Sequence, residues 1–193
     1  ILTVLIVKNL STNFFTNTIL LTAAFFLFFI TVRDFFKKKF NNLSQNIAHF
    51  GFSLLILSIL FNNIFSSEII TNLKIGETFV SDKFKISFKD INQKDEQNYK
   101  AIIGKFEVID SKGSNLIMSP ELRIYNQPNI VTSEADIKTN LLTDKFMTMN
   151  FVQNQDYFNI RYQIKPFMVW IWISVILICF GGLISLFKKK YEN

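Results

Sequence analysis

The sequence has few of the residues that build metal clusters, disulfide frameworks and flexible linkers. Its 193 residues include one cysteine (Cys179), one histidine (His49), three prolines and six glycines. A single cysteine excludes an internal disulfide framework and a thiolate zinc cluster, and a single histidine excludes a two-histidine ligand set within one copy. The low proline and glycine content excludes collagen and Pro-rich or Gly-rich linkers.

Charge is also scarce, and its placement matters more than its total. Only 19% of the residues are charged, with a net charge of +6, against roughly 25% charged in soluble domains. Residues 68–165 carry 13 Lys+Arg and 13 Asp+Glu, so that segment has no net charge. The excess lies in short clusters beside apolar runs, which excludes a basic face for nucleic acid on a folded domain.

Apolar residues, by contrast, are abundant and grouped. They make up 49% of the chain, including 23 phenylalanines. Three runs without a formal charge, 9–32, 40–67 and 166–187, are 24, 28 and 22 residues long. Because a bilayer core about 30 Å thick needs roughly 20 helical residues, we predict transmembrane helices at 14–32, 46–65 and 166–187.

The Lys/Arg clusters predict how these helices are oriented. The loop 33–45 and the tail 188–193 are basic, and basic segments remain on the cytoplasmic side. Residues 66–165 are then expected in the periplasm. Residues 1–8 are expected to end a preceding helix or outer loop. Since the first residue is Ile, we expect a piece of a longer protein or a processed product.

Residues 66–165 have the alternation of half-buried strands. Apolar and polar residues alternate along 84–89, 105–108 and 158–165, with a turn-forming cluster at 110–115. Several short alternating strands predict a small sandwich or barrel. The predicted fold class is a membrane protein with three helical spans and a small β-rich extracytoplasmic domain between spans 2 and 3.

His49 is the one side chain of the Asp, Glu, Lys, Arg and His types inside a predicted span. Such residues are costly in lipid, and a functional role is the default hypothesis. Neutral imidazole is a common ligand of haem iron. Ser53, four residues later, and Ile56, seven residues later, are expected on the same helix face as His49. Ala48 and Gly51 are small enough for close approach by a ligand or helix. The alternative is a neutral histidine that donates to a carbonyl of a neighbouring helix, and the residues alone leave both open.

Several segments, in matching order and spacing, resemble the C-terminal part of the CcmF/NrfE/CycK family of cytochrome c maturation proteins. Together they extend from the second predicted span to the end of the third. They are Ala48–Gly51, Asn98–Ala101, Ser119–Tyr125, Ser133–Ile137, Arg161–Phe167, Trp170–Trp172 and Gly181–Leu183.

The resemblance implies a role in a haem lyase of the bacterial inner membrane. This lyase receives haem from a periplasmic haem chaperone and supports thioether attachment of the haem to apocytochrome c. It holds a haem b between two transmembrane histidines, and quinol has been proposed as the electron source. His49 matches the second of these histidines. The family's first transmembrane histidine, Trp-rich motif and periplasmic histidine pair are absent here, so we expect this chain alone to be inactive.

Other interpretations of the sequence remain open. The chain could be a membrane-anchored periplasmic binding or transporter subunit in which His49 is structural. No nucleophile or general base presents itself, so no catalytic residue is predicted. Charged residues of the outer segment, among them Glu121, Arg123 and Glu134, are interpreted as surface or structural pairs. Trp170 and Trp172 are expected to anchor the third span at the membrane interface.

Overall fold

The computed structural model describes residues 14–37, 43–111, 113–152 and 156–191. The predicted segment 1–8 lies outside the described residues, as do Lys38 and Lys39 of the basic loop and the last two residues of the tail. Contacts divide the chain into two compact units. The helical unit comprises the described residues of 14–66, 140–144 and 165–191, and the β unit comprises those of 67–139 and 145–164.

The helical unit contains three long helices: α1 (Phe14–Lys37), α2 (Leu43–Phe65) and α3 (Met168–Tyr191). Each is long and apolar enough to cross a membrane. Helix α1 continues five residues beyond the predicted end at residue 32. The sequence prediction stopped at the first charge, but charged residues continue a helix as readily as apolar ones, and Lys37 in the last turn favours the helix dipole.

Helix α2 packs against α1 through aromatic rings and one polar pair. The ring centroids of Phe25 and Phe61 are 5.8 Å apart, and those of Phe28 and Phe50 are 5.7 Å apart. The hydroxyls of Thr31 and Ser53 form a buried hydrogen bond of 2.8 Å. Hydroxyl pairs of this kind join helices in apolar surroundings, where water supplies no alternative partner.

The start of α3 is held by contacts within the helical unit. Asn62 donates a side-chain hydrogen bond of 2.6 Å to the Pro166 carbonyl, and the Phe167 N–H donates to the Leu142 carbonyl at 2.8 Å. Phe167 has a φ of 61°, which is unfavourable for a residue with a Cβ. Its ring lies 5.1 Å from that of Phe61, so surrounding contacts hold this conformation.

The β unit is an antiparallel sandwich. One sheet has the order β1-β10-β9-β8 and the other β2-β3-β4-β6-β7, with β5 also paired to β4. The strands are β1 (Ser67–Leu73), β2 (Thr78–Val80), β3 (Phe84–Asp95), β4 (Tyr99–Asp110), β5 (Asn115–Met118), β6 (Glu121–Tyr125), β7 (Val131–Glu134), β8 (Asp136–Thr139), β9 (Thr143–Phe151) and β10 (Phe158–Pro166).

One hydrophobic core lies between the two sheets. Phe88 and Phe106 are fully buried, and their stacked ring centroids lie 4.3 Å apart. Phe84 contacts Tyr162 of the opposite sheet at 5.2 Å. Phe84, Ile86 and Phe88 of β3 face the core as the alternation predicts, and Lys85 is exposed, but Ser87 is buried as well.

Candidate functional site

His49 lies in the second turn of α2, and its side chain is exposed. Five other residues follow the same line along the helix at spacings of three and four. Like His49, most of them are exposed, with Phe52 at 53% and Ile59 at 48%. This stripe, called the His49 face below, consists of Gln45, His49, Phe52, Ile56, Ile59 and Asn63.

The other sides of α2 are occupied by the neighbouring helices. Ser53 is fully buried, and its hydroxyl bonds Thr31 of α1. A Cβ on Gly51 would lie 3.0 Å from Ile178 of α3. A Cβ on Gly181 would lie 2.7 Å from the Ala48 backbone nitrogen. Among the described residues, most of the His49 face is therefore left uncovered by α1 and α3, although Ile56 is partly buried against the cluster that includes Leu21 and Ala24 of α1.

The position of Ser53 differs from the sequence analysis, which placed it on the same face as His49. Residues four apart on a helix are offset by about 40°. Here that offset separates a side chain packed against α1 from one that is exposed. Ser53 donates to the Phe50 carbonyl at 2.8 Å and pairs with Thr31, so its hydroxyl is used in helix packing.

The chemistry available on the His49 face is that of one imidazole among apolar groups. Across the described residues, no group of three or more His, Cys, Asp or Glu side chains could hold a metal ion. His49 could therefore contribute one ligand to a metal that is held mainly by another group. A haem fits these residues, because the imidazole is accessible and exposed Phe52 lies three residues further along the same face.

In the β unit, the predicted charged residues pair with one another on the outer surface. Arg123 donates to the Glu121 carboxylate at 3.0 and 3.1 Å, and a nitrogen of Arg123 lies 4.0 Å from Glu134. The Arg123 guanidinium also stands over the Tyr99 ring at 5.2 Å. The hydrogen bond to Glu121 raises the pKa of Arg123. These contacts are the surface pairing that the sequence predicts.

The two tryptophans of α3 differ in their surroundings. Trp172 is 66% exposed, whereas Trp170 is partly buried against other residues of the helical unit. The indole Nε1 of Trp170 is buried and has no hydrogen-bond partner among the described residues. Sequence reasoning predicts interfacial anchoring for both, but the unpaired N–H depends on neighbours that the sequence does not reveal.

Three apolar helices and an antiparallel sandwich define the class of the protein: a helical membrane protein that carries a β-sandwich domain. Residues 64–166, just over half of the chain, match the family described as the CcmF C-terminal beta-sandwich. The chain belongs to the CcmF family and corresponds to its C-terminal part.

Individual relatives agree with this assignment. The cytochrome c-type biogenesis protein CcmF of Escherichia coli (strain K12) is 24% identical over 157 residues, covering 81% of this chain and 24% of that protein. CcmF of Haemophilus influenzae is 28% identical over 167 residues, covering 86% and 25%. This chain thus spans about a quarter of the length of these curated relatives.

A solved structure shows the same fold. The cytochrome c heme lyase CcmF superposes with a TM-score of 0.64 at 18% identity, covering 86% of this chain and 29% of that one. The resemblance to the CcmF/NrfE/CycK family stated from the motifs is thereby confirmed.

Proposed function

We propose that this chain is part of the membrane haem lyase of cytochrome c biogenesis, and that His49 is an axial ligand of a haem b. The observation that carries the proposal is the exposed imidazole on the face of α2 that α1 and α3 leave mostly uncovered. The names of the relatives support the setting, since they are cytochrome c-type biogenesis proteins and a heme lyase.

The remaining parts of the proposal concern partners and chemistry. The lyase receives haem from a periplasmic haem chaperone and supports thioether attachment to apocytochrome c, together with other subunits of the maturation system. With two imidazole ligands, a haem has no open iron position and serves electron transfer, with quinol as electron donor. His49 supplies one ligand, and the second comes from outside this chain, which is inactive alone.

His49, Phe52 and Ile59 have separate tasks in this proposal. The imidazole would bind the haem iron. The direction in which His49 points is set by the rotation of α2 about its axis, and α2 is held between α1 and α3. Phe52 and Ile59 present apolar surface on the same face and exclude water from it. In a site with little water, the ligands of a bound metal and the local dielectric tune the redox potential of that metal.

The orientation in the membrane is also proposed. Arg33 and Lys37 lie in the last turns of α1, and α3 ends at Tyr191, directly after the run Lys188–Lys190. Basic residues at these ends favour the cytoplasmic side, and this supports the proposal that the β unit lies in the periplasm, at a bacterial inner membrane. A reporter that works only outside the cytoplasm should be active when it is fused near Gly113. A reporter that works only in the cytoplasm should be active when it is fused after Lys190. Activity on the opposite sides would reverse this orientation.

Replacement of His49 tests the ligand role. We expect His49→Ala, purified with its accompanying subunits in detergent, to lose most of the low-spin b-type absorption, because the iron loses one axial bond. Gln45→Ala is the matched control, since Gln45 lies one turn away on the same face and is also exposed. His49→Gly supplied with free imidazole should regain the spectrum. Unchanged haem content and spectrum in His49→Ala would leave a membrane-anchored binding or transporter subunit with a structural histidine.

A further inference from the structure

The turn between β8 and β9, residues 140–142, carries two adjacent leucines that are exposed. Leu141 is 67% exposed and Leu142 is 62% exposed. Residues 139–143 include no charged residue. Turns that face water are usually polar, as is the cluster 110–115 before β5, which consists of Asp, Ser, Lys, Gly and Asn. The exposed pair in this leucine turn therefore needs an explanation in its surroundings.

The leucine turn is fixed by its own hydrogen bonds. The side-chain oxygen of Asn140 accepts from the N–H of Leu142 at 2.9 Å and from the N–H of Thr143 at 2.8 Å. The Asn140 N–H donates to the Thr143 carbonyl at 3.1 Å. Asparagine commonly fixes turns by bonding the backbone two residues further on. The two leucines are thus presented by a turn with a defined conformation.

The leucine turn belongs to the helical unit and lies beside the start of α3. Residues 140–144 are grouped with the three helices. The Leu142 carbonyl accepts a hydrogen bond of 2.8 Å from the N–H of Phe167, the residue directly before α3. Asn62, in the last turn of α2, bonds the Pro166 carbonyl. The leucine turn therefore lies at the level where α2 ends and α3 begins.

That level corresponds to one boundary of the membrane core. The apolar span of α3 is Met168–Phe187, 20 residues long. At 1.5 Å per residue this is about 30 Å, the thickness of the hydrocarbon core. The basic run Lys188–Lys190 follows the far end of the span, so the start of the span lies at the opposite boundary. Trp172, which is 66% exposed in the first turns of α3, agrees with this, because tryptophans are enriched at membrane interfaces.

We propose that the leucine turn inserts Leu141 and Leu142 into the membrane interface, where they contact the acyl chains of the lipids next to the headgroups. The gain is the apolar surface that leaves water. The backbone of Leu142 suits this position, since its N–H and its carbonyl are both hydrogen-bonded and unpaired backbone groups are costly in lipid. The lipid contact goes beyond the proposed function: it requires that α3 crosses a membrane and does not depend on haem at His49.

A spin label on the leucine turn tests this lipid contact. The full chain with Cys179→Ala and Leu141→Cys is labelled, assembled with its accompanying subunits and placed in phosphatidylcholine vesicles. Ser114→Cys, an exposed position in the polar cluster 110–115, is the matched control, and Cys179→Ala alone gives the background. Power-saturation electron paramagnetic resonance measures collisions of the label with oxygen, which is enriched in lipid, and with a water-soluble nickel chelate.

We expect the label at Leu141 to have more oxygen collisions than the label at Ser114. Its nickel collisions should be about three-fold fewer, because interfacial apolar groups lie roughly 5–10 Å inside the boundary between headgroups and acyl chains. Adding Leu142→Glu to the labelled Leu141→Cys chain should raise the nickel collisions, because a charged side chain favours water. Leu142→Ile keeps the apolar surface and should leave both values unchanged. Haem absorption in the same samples tests the proposed function separately.

Three results would overturn the proposal. Nickel collisions at Leu141 as frequent as those at Ser114 would place the leucine turn in water. Few collisions with both oxygen and nickel would mean that another protein covers the turn. Values that stay the same in Leu142→Glu would mean that the bond to Phe167 alone holds the turn in place, without a contribution from leucine contact with lipid.

Discussion

Several phenylalanines of the β unit lie in its core, whereas several of the helical unit are exposed. In the β unit, Phe88 and Phe106 are 0% exposed and stack on each other. In the helical unit, Phe26 is 67% exposed and Phe36 is 82% exposed. The β unit therefore buries its largest apolar side chains in a core of its own, although Ile70, Val80 and Ile117 remain exposed. The helical unit leaves such surface to lipid or to other protein. The same phenylalanine side chain therefore contributes differently to stability in the two units.

Within the helical unit, the same comparison separates α2 from its neighbours. In their most apolar windows, 28% of the residues of α2 are buried, against 11% in both α1 and α3. Helix α2 thus lies between the other two, and its contacts fix its rotation. Because α2 is the most buried of the three helices, an exposed histidine on α2 is less expected than an exposed residue on α1 or α3 would be.

The largest expected effect comes from removing a buried ring. Phe88→Ala should lower the free energy of unfolding of the β unit by about 3–5 kcal/mol, because the cavity adds to the lost transfer energy. Phe26→Ala removes the same atoms from an exposed position and should change stability by less than about 1 kcal/mol. Protease pulses across a urea series, applied to the full chain in detergent, measure the unfolded fraction of the β unit.

Equal losses in the two variants would break the comparison between the units. They would mean that Phe26 is packed against something as tightly as Phe88 is. A small loss in both would instead mean that the core of the β unit collapses around the cavity at little cost.

Much of the architecture could be predicted from the sequence because two strong patterns are present. Runs of about 20 residues without charge predict membrane helices whatever the tertiary contacts are. The alternation along 84–88 predicts a strand with one buried face, and Phe84, Ile86 and Phe88 do face the core. Each of these patterns depends only on the surroundings of a single helix or strand.

Features that depend on pairing between elements could not be predicted in this way. Strand β3 continues to Asp95 through a polar stretch that has the composition of a loop, and a register shift between Phe88 and Asp90 interrupts its alternation. Alternation alone also left a sandwich and a barrel equally open. The observed choice depends on which strands pair, and the pattern within a single strand does not contain that information.

The same limit applies to the candidate site. His49 is noticeable because it is the one histidine of the chain and lies in an apolar run. The side of α2 that it occupies depends on where Thr31 and Gly181 approach, and these residues are distant in sequence. Helical spacing placed Ser53 beside His49, whereas contact with Thr31 assigns Ser53 to the packing with α1.

The next expected effect is a pH dependence confined to the β unit. Burial, with a smaller contribution from Asp110, raises the pKa of Tyr162 from 10.0 to about 12. Because the folded state holds the proton more tightly than the unfolded state, this stability is complete below pH 10 and is lost as the pH rises toward 12. The loss should be roughly 2–3 kcal/mol. Urea unfolding of the β unit at pH 9 and above measures it.

Tyr162→Phe is the control for that pH dependence. Its unfolding free energy should decline less over the alkaline range than that of the unsubstituted chain, because the titrating hydroxyl is gone. Parallel slopes for the two proteins would show that Tyr162 ionises alike in the folded and unfolded states. The helical circular dichroism signal should not follow the difference, since Tyr162 belongs to the β unit.

The smallest expected effect concerns the packing that positions His49. A Cβ on Gly181 would meet the backbone of α2, 2.7 Å from the Ala48 nitrogen and 2.8 Å from the Ser44 carbonyl oxygen. Gly181→Ala should therefore push α2 and α3 apart and destabilise the helical unit by about 1–3 kcal/mol. A Cβ on Gly182 meets nothing within 4 Å, so Gly182→Ala should be neutral or slightly stabilising through helix propensity.

Thermal unfolding followed by the helical signal in detergent compares the two glycine variants directly. If His49 binds haem, Gly181→Ala should also weaken haem retention, because Ala48 and His49 are adjacent and move together when α2 rotates. Gly182→Ala should retain haem normally. Identical behaviour of the two variants would mean that α2 and α3 are not in close contact in the assembled protein. The orientation of α2 about its axis would then have to be fixed by something other than packing against α3.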